Sequence, residues 1–553
     1  MSKATFAIYG SKDLDSRNYP VFTHNHNLCL MKDGVILQYL ELERYTRKKY
    51  DNRLDLFIEE LLSNKVFELP DEFDFVLAND FLSSFFLSKN GAFRFECASP
   101  HNLSNKLIPG TLTLLSNKNS IKKIPAFCCS HELAHIFSAI PFYGHFKDNS
   151  LLLSIDGASS LGNYSSFIFK NGHLNLIENN WNDLGFVSKL FNDKPLVFKI
   201  LGASKKDHCS IPGKLMGFAS FGNPRRDIET WLKKNDYFND FWGKEYRILD
   251  SITQHFGINP GFETTDQFMQ DVAATFQKIF EDAVLGKLKK LQDKLHCDYL
   301  YYGGGCALNI VTNTKIIESR LFKDVFIAPC CSDSGLSIGA ACFAEMEKGN
   351  FIQIHNGYLS NVSCNLQDSF DISDAEIELV SQEIKKGKII GICNGSAEIG
   401  PRALGNRSLI ALPNNKALAQ HLSMNVKKRE WYRPVAPIML LELAKKIAIQ
   451  KPKNLSKFML MDFHIKEEFQ KDLAGVIHIN GTSRIQTIAS EKDNPFMYKL
   501  LKRLEKDGVL ALINTSFNIQ GKPIVHTKED ALLAFKTMPL DGLVLNGKFI
   551  SKK

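Results

Sequence analysis

The sequence predicts an α/β protein of more than one unit, and three observations predict it. Short apolar runs lead into glycine-bearing loops and then into segments with one apolar helical face, the alternation that builds layered sheets. Asp33-Gly34 and Asn171-Gly172 each separate two apolar runs, which favours tight hairpins. A stretch dominated by polar residues, Asn and Ser lies between residues 349 and 374 and marks a boundary, and a chain of 553 residues exceeds the usual single core.

Taken in order, strands are expected at residues 4–9, 26–31 and 35–40, then helical periodicity over 54–67 and again before Leu112. Residues 151–155 read as a buried strand ending at Asp156-Gly157, and residues 165–169 and 174–177 flank the Asn171-Gly172 turn. Residues 268–295 form a helix, because Val272, Phe276, Ile279, Phe280, Val284 and Leu288 share about one face. Residues 299–302 lead into Gly303-Gly304-Gly305, and residues 325–328 lead into a turn and a small-residue helix at 336–344. Past the boundary come a helix from Ala375 and strands at 389–393, 476–479, 484–488 and 509–514. The domain expectation is 1–350, a linker at 351–374, and 375–553.

Composition narrows the function classes. Hydrophobic residues at 44% and charged residues at 23% describe a globular chain rather than a disordered one. The formal charge of +8 is too small for this length to imply nucleic acid unless focused on one face. The opening residues 1–19 carry charges throughout, unlike a signal peptide, and no segment reaches about 18 uncharged apolar residues. The twelve cysteines include adjacent pairs but no C-x-x-C, which suits reduced thiols in a cytoplasmic protein.

Chemistry-bearing residues begin with "HELAH" at 131–135. Histidines at i and i+4 project from one side of a helix, so His131 and His135 can address one ion, or can simply be hydrogen-bonded to neighbours. A zinc peptidase would use Glu132 as base, but the extended form of that signature needs glycine and histidine where Ser138 and Pro141 stand. A carboxylate from a remote loop is a better third ligand. Asp333, between an apolar strand and a helix start, is placed to be one, and such a set suits iron, manganese or zinc. Spacing alone does not bring it there.

Glycine loops at Asp156-Gly157, Gly303-Gly304-Gly305 and Ser334-Gly335 can face ligand oxygens with N–H groups, or can be tight backbone crossings. The strings "EIGPRALGNRS", "KKREWYRPVAP", "HINGTSRIQT" and "NTSFNIQGKPIVHTKEDA" are denser. They set Glu398, Arg402, Arg407, Lys427, Lys428, Arg429, Arg433, His478, Thr482, Arg484, Gln486, Asn514, Thr515, Ser516, Asn518 and Lys522 among Gly/Pro turns. Guanidinium forks and backbone donors match phosphate oxygens, as ATP or carbamoyl phosphate needs, and no Walker loop is present. Arginines beside aromatics can also bind RNA, but these lie in turns with acidic partners rather than along a basic stripe.

These strings, with "GKLMGFASFG" (213–222), "GGGCALN" (303–309) and "DSGLSIGAA" (333–341), resemble the O-carbamoyltransferases of antibiotic and nodulation-factor biosynthesis over nearly the whole chain. The resemblance implies an N-terminal actin-like or sugar-kinase-like domain, similar to the threonylcarbamoyl-transferase subunit that acts on tRNA. It implies a C-terminal α/β domain similar to threonylcarbamoyl-adenylate synthase. It further implies carbamoyladenylate made from carbamoyl phosphate and ATP with Mg2+, then transfer to a hydroxyl of a small-molecule or glycan acceptor. Fe2+ or another divalent metal falls on His131, His135 and Asp333. His24, Arg402, Lys427, Arg429 and Arg433 become catalytic candidates. Asp156, Gly157, Lys214, Gly304, Gly305, Asn309, Glu398, Arg407, His478, Thr482, Arg484, Asn514, Ser516 and Asn518 become candidates for holding nucleotide or co-substrate. Nucleic acid and membrane are not expected partners, and a homodimer stays open.

The chain departs from the family pattern near its start. It has His24-Asn25-His26-Asn27 where the family has H-D-A-S, Leu42 and Tyr50 where the family tends to a glutamate and a histidine, and an unfamiliar segment at 10–20. His24, Asp33 or a water can take the acceptor's proton. A tRNA threonylcarbamoylation enzyme and a scaffold that keeps the fold without turnover are the rival readings.

Overall fold

The computed structural model describes residues 3–10, 23–79, 84–97, 105–115, 121–157, 159–160, 162–180, 195–238, 245–258 and 263–552. Three large sheets carry the described residues, with β17 (Phe463–His464) and β18 (Thr482–Ser483) forming a separate two-stranded ladder. The first runs β3 (Val35–Glu41), β2 (Asn27–Lys32), β1 (Ala4–Tyr9), β4 (Phe73–Asn79), β8 (Ile121–Ser130), and is extended by β7 (Ile108–Leu115), β6 (Phe93–Cys97) and β5 (Ser84–Phe86). The second runs β11 (His173–Asn180), β10 (Tyr164–Lys170), β9 (Ser150–Ile155), β12 (Tyr299–Gly303), β13 (Asp324–Phe326). In both, the first three strands form an antiparallel meander and the next two add in parallel on the other side of the first strand. This repeated order makes the N-terminal half the actin-like, sugar-kinase-like α/β fold, with β5 to β7 inserted in its first lobe.

The local sequence explains the elements. Asp33 and Gly34 take φ of 50° and 78°, and Asn171 and Gly172 take 54° and 75°, the left-handed pair that a two-residue hairpin turn requires. Strands β1 and β9 are buried at every residue, which is why both are mostly apolar, broken only by Thr5, Ser150 and Ser154, rather than alternating. The helix Leu336–Glu347 lies directly on the helix His131–Phe137, because "GLSIGAA" offers small side chains: a Cβ at Gly339 would overlap the carbonyl of Ala134. That contact brings the two histidines to the loop carrying Asp333.

The third sheet runs β19 (Gln486–Ile488), β16 (Ala436–Leu440), β20 (Leu512–Ser516), β15 (Arg407–Ala411), β14 (Ile390–Cys393), β21 (Gly542–Leu545), β22 (Lys548–Ser551). Helices Asp374–Lys385 and Pro495–Glu505 cover it with Ile377, Val380, Ile384, Leu500 and Leu504. The two halves share one apolar core, in which Tyr9, Leu133, Leu152 and Tyr301 belong with Leu409 and Ile513. Polar ties cross as well: Asn313 Nδ2 donates to Leu460 O at 3.0 Å, and Arg44 Nη2 donates to Gly400 O at 3.2 Å. Residues 351–373 run across this junction, with His355 N–H on Pro141 O at 2.7 Å and Ser360 bridged to Ala397.

Three expectations differ. The segment before Leu112 is strand, since Thr111, Leu112, Thr113 and Leu114 alternate in and out with period two rather than 3.6. Residues 476–479 form a turn closed by His478 N–H on Thr482 O at 2.7 Å, which gives the loop its own hydrogen bonds in place of a ladder. The strand expected at 325–328 ends at Phe326. The unfamiliar segment at 11–20 lies outside the described residues.

Two glycines with opposite surroundings test this packing. Gly339→Ala should destabilise the protein by about 1–3 kcal/mol through overpacking. Gly286→Ala, on an exposed helical site with nothing within reach of the added carbon, should stabilise it by about 0.5–1 kcal/mol. Urea unfolding curves read both; equal effects of the two substitutions would contradict the helix contact.

Candidate functional site

Strand β8 ends at Ser130, whose hydroxyl accepts the Leu133 N–H at 3.2 Å and starts the helix at His131. One turn on, His135 stacks beneath it, and the two Nε2 atoms are 2.9 Å apart. Asp333 Oδ1 lies 3.7 Å from each Nε2, and Asp156 Oδ2 lies 3.4 Å from that of His135. All four side chains are buried or half-buried, with one donor atom from each within 4.8 Å of the others. The donors leave β8, β9 and β13 at their C-terminal ends, where α/β sheets place ligands.

Two imidazole nitrogens and two carboxylates at this spacing fit a first-row divalent cation. Asp156, expected to face nucleotide, lies within 4.8 Å of the candidate metal donors His131, His135 and Asp333. Its signal was present in the sequence: an Asp-Gly pair directly after a short, mostly apolar strand. Burial alone would raise its carboxyl, but the hydrogen bond and charge of His135, with His131 and the Gly305 N–H, hold it well below the usual range. Gly157 N–H donates to Asp156 Oδ1 at 2.6 Å and Gly305 N–H to Oδ2. Gly304, at φ 91°, presses on the Ile155 carbonyl, so the triple glycine is both a tight crossing and a donor to Asp156.

His24 Nδ1 is 3.6 Å from Asp333 Oδ2, and its ring centroid is 6.3 Å from that of Tyr50. Tyr9 OH donates to Asp333 Oδ2 at 2.8 Å. Tyr50 is in turn within electrostatic reach of Cys209 and Arg433, and Cys209 of Asp333. The metal-binding side chains and the second constellation therefore share one interior.

That constellation is cationic. Arg402 sits on a loop whose ends are drawn together by Glu398 Oε1, which accepts N–H bonds from Leu404, Asn406 and Arg407 at 2.7, 2.8 and 3.0 Å. Asn514 Nδ2 donates to Ala403 O at 3.1 Å and to Gln486 Oε1 at 2.6 Å, and Gln486 Nε2 to Leu404 O at 2.6 Å. Burial, with Arg433 nearby and Cys331 opposing, lowers Arg402 to about 10. Burial and Arg433 lower Arg429 to about 9. Arg484 is pushed well down by burial and by Arg402, Arg429 and Arg433, and Lys427 by burial and by Arg429, Lys49 and Arg433. The charged neighbours of Arg484 and Lys427 are mostly other cations, and the one charged neighbour acting on Arg402 among the described residues is Arg433. The Nε atoms of Arg402 and Arg484 are buried without a partner.

The remaining candidates serve the frame. Arg407 donates to Asn394 O and Gly395 O, each at 2.7 Å, and to Asn406 O, His526 O and Cys364 Sγ, leaving its guanidinium to the fold rather than to a ligand. Lys427 is held by Ser516 O and Oγ and by Asn518 O and Oδ1, and Ser516 Oγ also accepts from Arg429 at 3.1 Å. Lys214 pairs with Asp207 at 2.5 Å and Glu430 at 2.7 Å across the domain junction. Asn309 caps the helix Ile310–Glu318 and pairs with Gln277. His478, lowered to about 4 by burial, meets Ser220 Oγ at 2.8 Å, and Thr482 bonds Asn480 at 2.8 Å. Sequence reasoning missed Tyr9 and Lys49, which carry no recognisable motif.

Residues 19–342 match the family model described as Carbamoyltransferase N-terminus, and residues 381–552 match Carbamoyltransferase C-terminus. The chain is 29% identical to an uncharacterised protein of Methanocaldococcus jannaschii, over 98% of this chain and 91% of that protein. It is 27% identical to Nodulation protein NolNO of Sinorhizobium fredii, over 96% and 79%, and 30% identical to Nodulation protein NolO of Bradyrhizobium diazoefficiens, over 77% and 79%. A crystal structure of full-length HypF in its phosphate- and nucleotide-bound form is similar at 12% identity and a TM-score of 0.31, over 62% of this chain and 55% of that one; so slight a likeness carries no weight for function. No helix among the described residues is long and apolar enough to cross a membrane.

The geometry sets an expectation for metal uptake. Asp156→Asn and Asp333→Asn should each weaken divalent-metal binding by about 10–100-fold, read by equilibrium dialysis with elemental analysis. Uptake by Asp156→Asn equal to that of the wild type would remove Asp156 from the ligand set.

Proposed function

The chain belongs to the carbamoyltransferase family, and from that premise we propose that it makes carbamoyladenylate from carbamoyl phosphate and ATP, then transfers the carbamoyl group to a hydroxyl of a small-molecule or glycan acceptor. The observation that carries this reading is the crowd of half-buried cations around Arg402, with buried Nε atoms of Arg402 and Arg484 that find no partner and too few carboxylates to balance it. Polyanionic substrates supply the missing charge. Phosphate oxygens match guanidinium forks, and charge gathered as phosphoryl groups meet is offset by donors already in place.

Mass balance fixes the first step. Water releases phosphate from carbamoyl phosphate, a carbamate oxygen attacks the α-phosphorus of ATP, and pyrophosphate departs. The product needs this activation because the carbamoyl nitrogen donates into its carbonyl, and AMP is a far better leaving group than hydroxide. In the second step the acceptor hydroxyl attacks the carbamoyl carbon and AMP leaves. His131, His135, Asp156 and Asp333 would hold a divalent cation, iron being the one the family resemblance implies, and Lewis acidity is what it supplies there. Tyr9 and Asn27 hold Asp333 in position, through its Oδ2 at 2.8 Å and its backbone carbonyl at 2.8 Å. A shared interior keeps water from the adenylate between the steps.

The rival readings are less well supported. The altered segment His24-Asn25-His26-Asn27 is not a collapsed remnant: each of its side chains makes hydrogen bonds within 3.4 Å. A tRNA substrate would need a basic track, and these arginines face inward.

Purified protein given ATP, Mg2+ and carbamoyl phosphate should release pyrophosphate and form carbamoyladenylate, and should do neither when one substrate is omitted. Arg402→Ala or Arg433→Ala should cut that half-reaction by about 10²–10³-fold, whereas His131→Ala should leave it and block only transfer. No pyrophosphate from the wild type, or the reverse pattern among the variants, would overturn the division of labour.

A further inference from the structure

The altered segment carries a directional chain of hydrogen bonds. Asn25 Nδ2 donates to Glu41 Oε1 at 2.7 Å. An ionised carboxylate only accepts, so the amide nitrogen must face Glu41 and the amide oxygen must face the other way. That oxygen lies 2.8 Å from His24 Nδ1. The next acceptor toward the same nitrogen is Asp333 Oδ2 at 3.6 Å. With acceptors on that side alone, His24 bears its hydrogen on Nδ1.

The chain is held rigidly. Asn25 takes φ of 54°, a left-handed conformation that asparagine tolerates better than most residues. Its carbonyl accepts from Asn27 Nδ2 at 2.6 Å, while Asn27 Oδ1 accepts the Ser337 N–H at 2.9 Å. Glu41 is buried at the end of β3, with Arg44 Nε 3.5 Å from its other oxygen. The His24 side chain stays 30% exposed, and its Nε2 has no hydrogen-bond partner among the described residues.

We infer that Glu41 and Asn25 are positioning residues that lock His24 into the Nδ1–H tautomer, so that the Nε2 lone pair of this 30% exposed side chain beside Asp333 is the proton acceptor for the alcohol. The role of Nε2 rests on the proposed transfer: the hydroxyl oxygen bonds to the carbamoyl carbon, the bond from that carbon to the adenylate oxygen breaks with its electron pair on AMP, and the hydroxyl proton passes to Nε2. The tautomer itself does not depend on that reading.

The experiment is NMR of 15N-histidine-labelled, full-length, zinc-loaded protein at pH 8, above the value of about 7 to which burial and Glu43 push the Glu41 carboxyl. His24 is assigned through His24→Gln. The wild type should show a protonated Nδ1 and a bare Nε2. Asn25→Leu removes the acceptor, and Glu41→Gln lets the asparagine amide sit either way, so each should give a mixture of tautomers. Combining Asn25→Asp with Glu41→Gln exchanges donor and acceptor in place: the introduced amide donates to the introduced carboxylate, which still offers an oxygen to His24. The single tautomer should return, a rescue that loss of packing does not predict. A wild-type proton on Nε2, an unchanged tautomer in both single variants, or a double variant as mixed as the singles would overturn the inference. Pyrophosphate release by the wild type, measured in parallel, tests the adenylation reading separately; its absence would take away the role given to Nε2 while the spectra still decide the tautomer.

Discussion

Burying an arginine without a carboxylate carries a desolvation penalty of several kcal/mol, and placing three beside one another adds repulsion. Arg402, Arg429 and Arg484 are half-buried and bear part of both, with loss of solvent and neighbouring cations lowering each of them. Nothing about these residues stabilises the fold in isolation, so the surrounding structure has to hold them against their own field. It does so with neutral and backbone groups. Glu398 spans the Arg402 loop by three N–H bonds, and Asn514 and Gln486 fix its carbonyls. Glu398, four residues before Arg402, points at the backbone instead of neutralising its guanidinium, and Glu430, next to Arg429, is shared with Lys214 and Arg433. An anion is thereby left as the natural completion of the site.

The opposite arrangement stands at the other end of the same interior. There two carboxylates and two imidazoles converge within 4.8 Å, a concentration of lone pairs that a cation completes. Convergence depends on close backbone approach: the helix of His131 against that of Gly339, and Gly304 against Ile155. Tyr50 and Cys209 lie between the two ends, within electrostatic reach of Arg433 and of Asp333 respectively. The two constellations are thus short of opposite charges, and the proposed two-step transfer uses that difference, an anion at one and a cation at the other.

Much of this was legible in the sequence, and unevenly. Hairpins at Asp33-Gly34 and Asn171-Gly172 were readable because their geometry demands residue types that tolerate positive φ. The small-residue helix beginning at Leu336 was readable, but what its glycine touches was not, since contact across 205 residues of chain, from Ala134 to Gly339, leaves no local trace. The strand at β7 was misread because a short apolar run fits both periods until its register is known. Family resemblance placed Asp333 with the histidines and Asp156 with nucleotide, and the 3.4 Å approach of Asp156 to His135, which no local pattern announces, puts it beside the candidate metal donors as well.

Arginine is where residue type says least. Arg402 and Arg407 stand five residues apart in one motif, carry the same five donors and are both enclosed by protein, yet one has a guanidinium nitrogen without a partner and the other binds five acceptors. The difference is set by strand β15. Its first residue is Arg407, so that guanidinium is turned into the folded loops around Asn394, Gly395 and His526, while Arg402 remains at the loop's apex beside Cys331. A guanidinium inside ordered backbone is a strut, because carbonyls saturate it. One at an apex beside other cations, with a single long bond to Leu308 O at 3.5 Å, keeps donors that an anion could take.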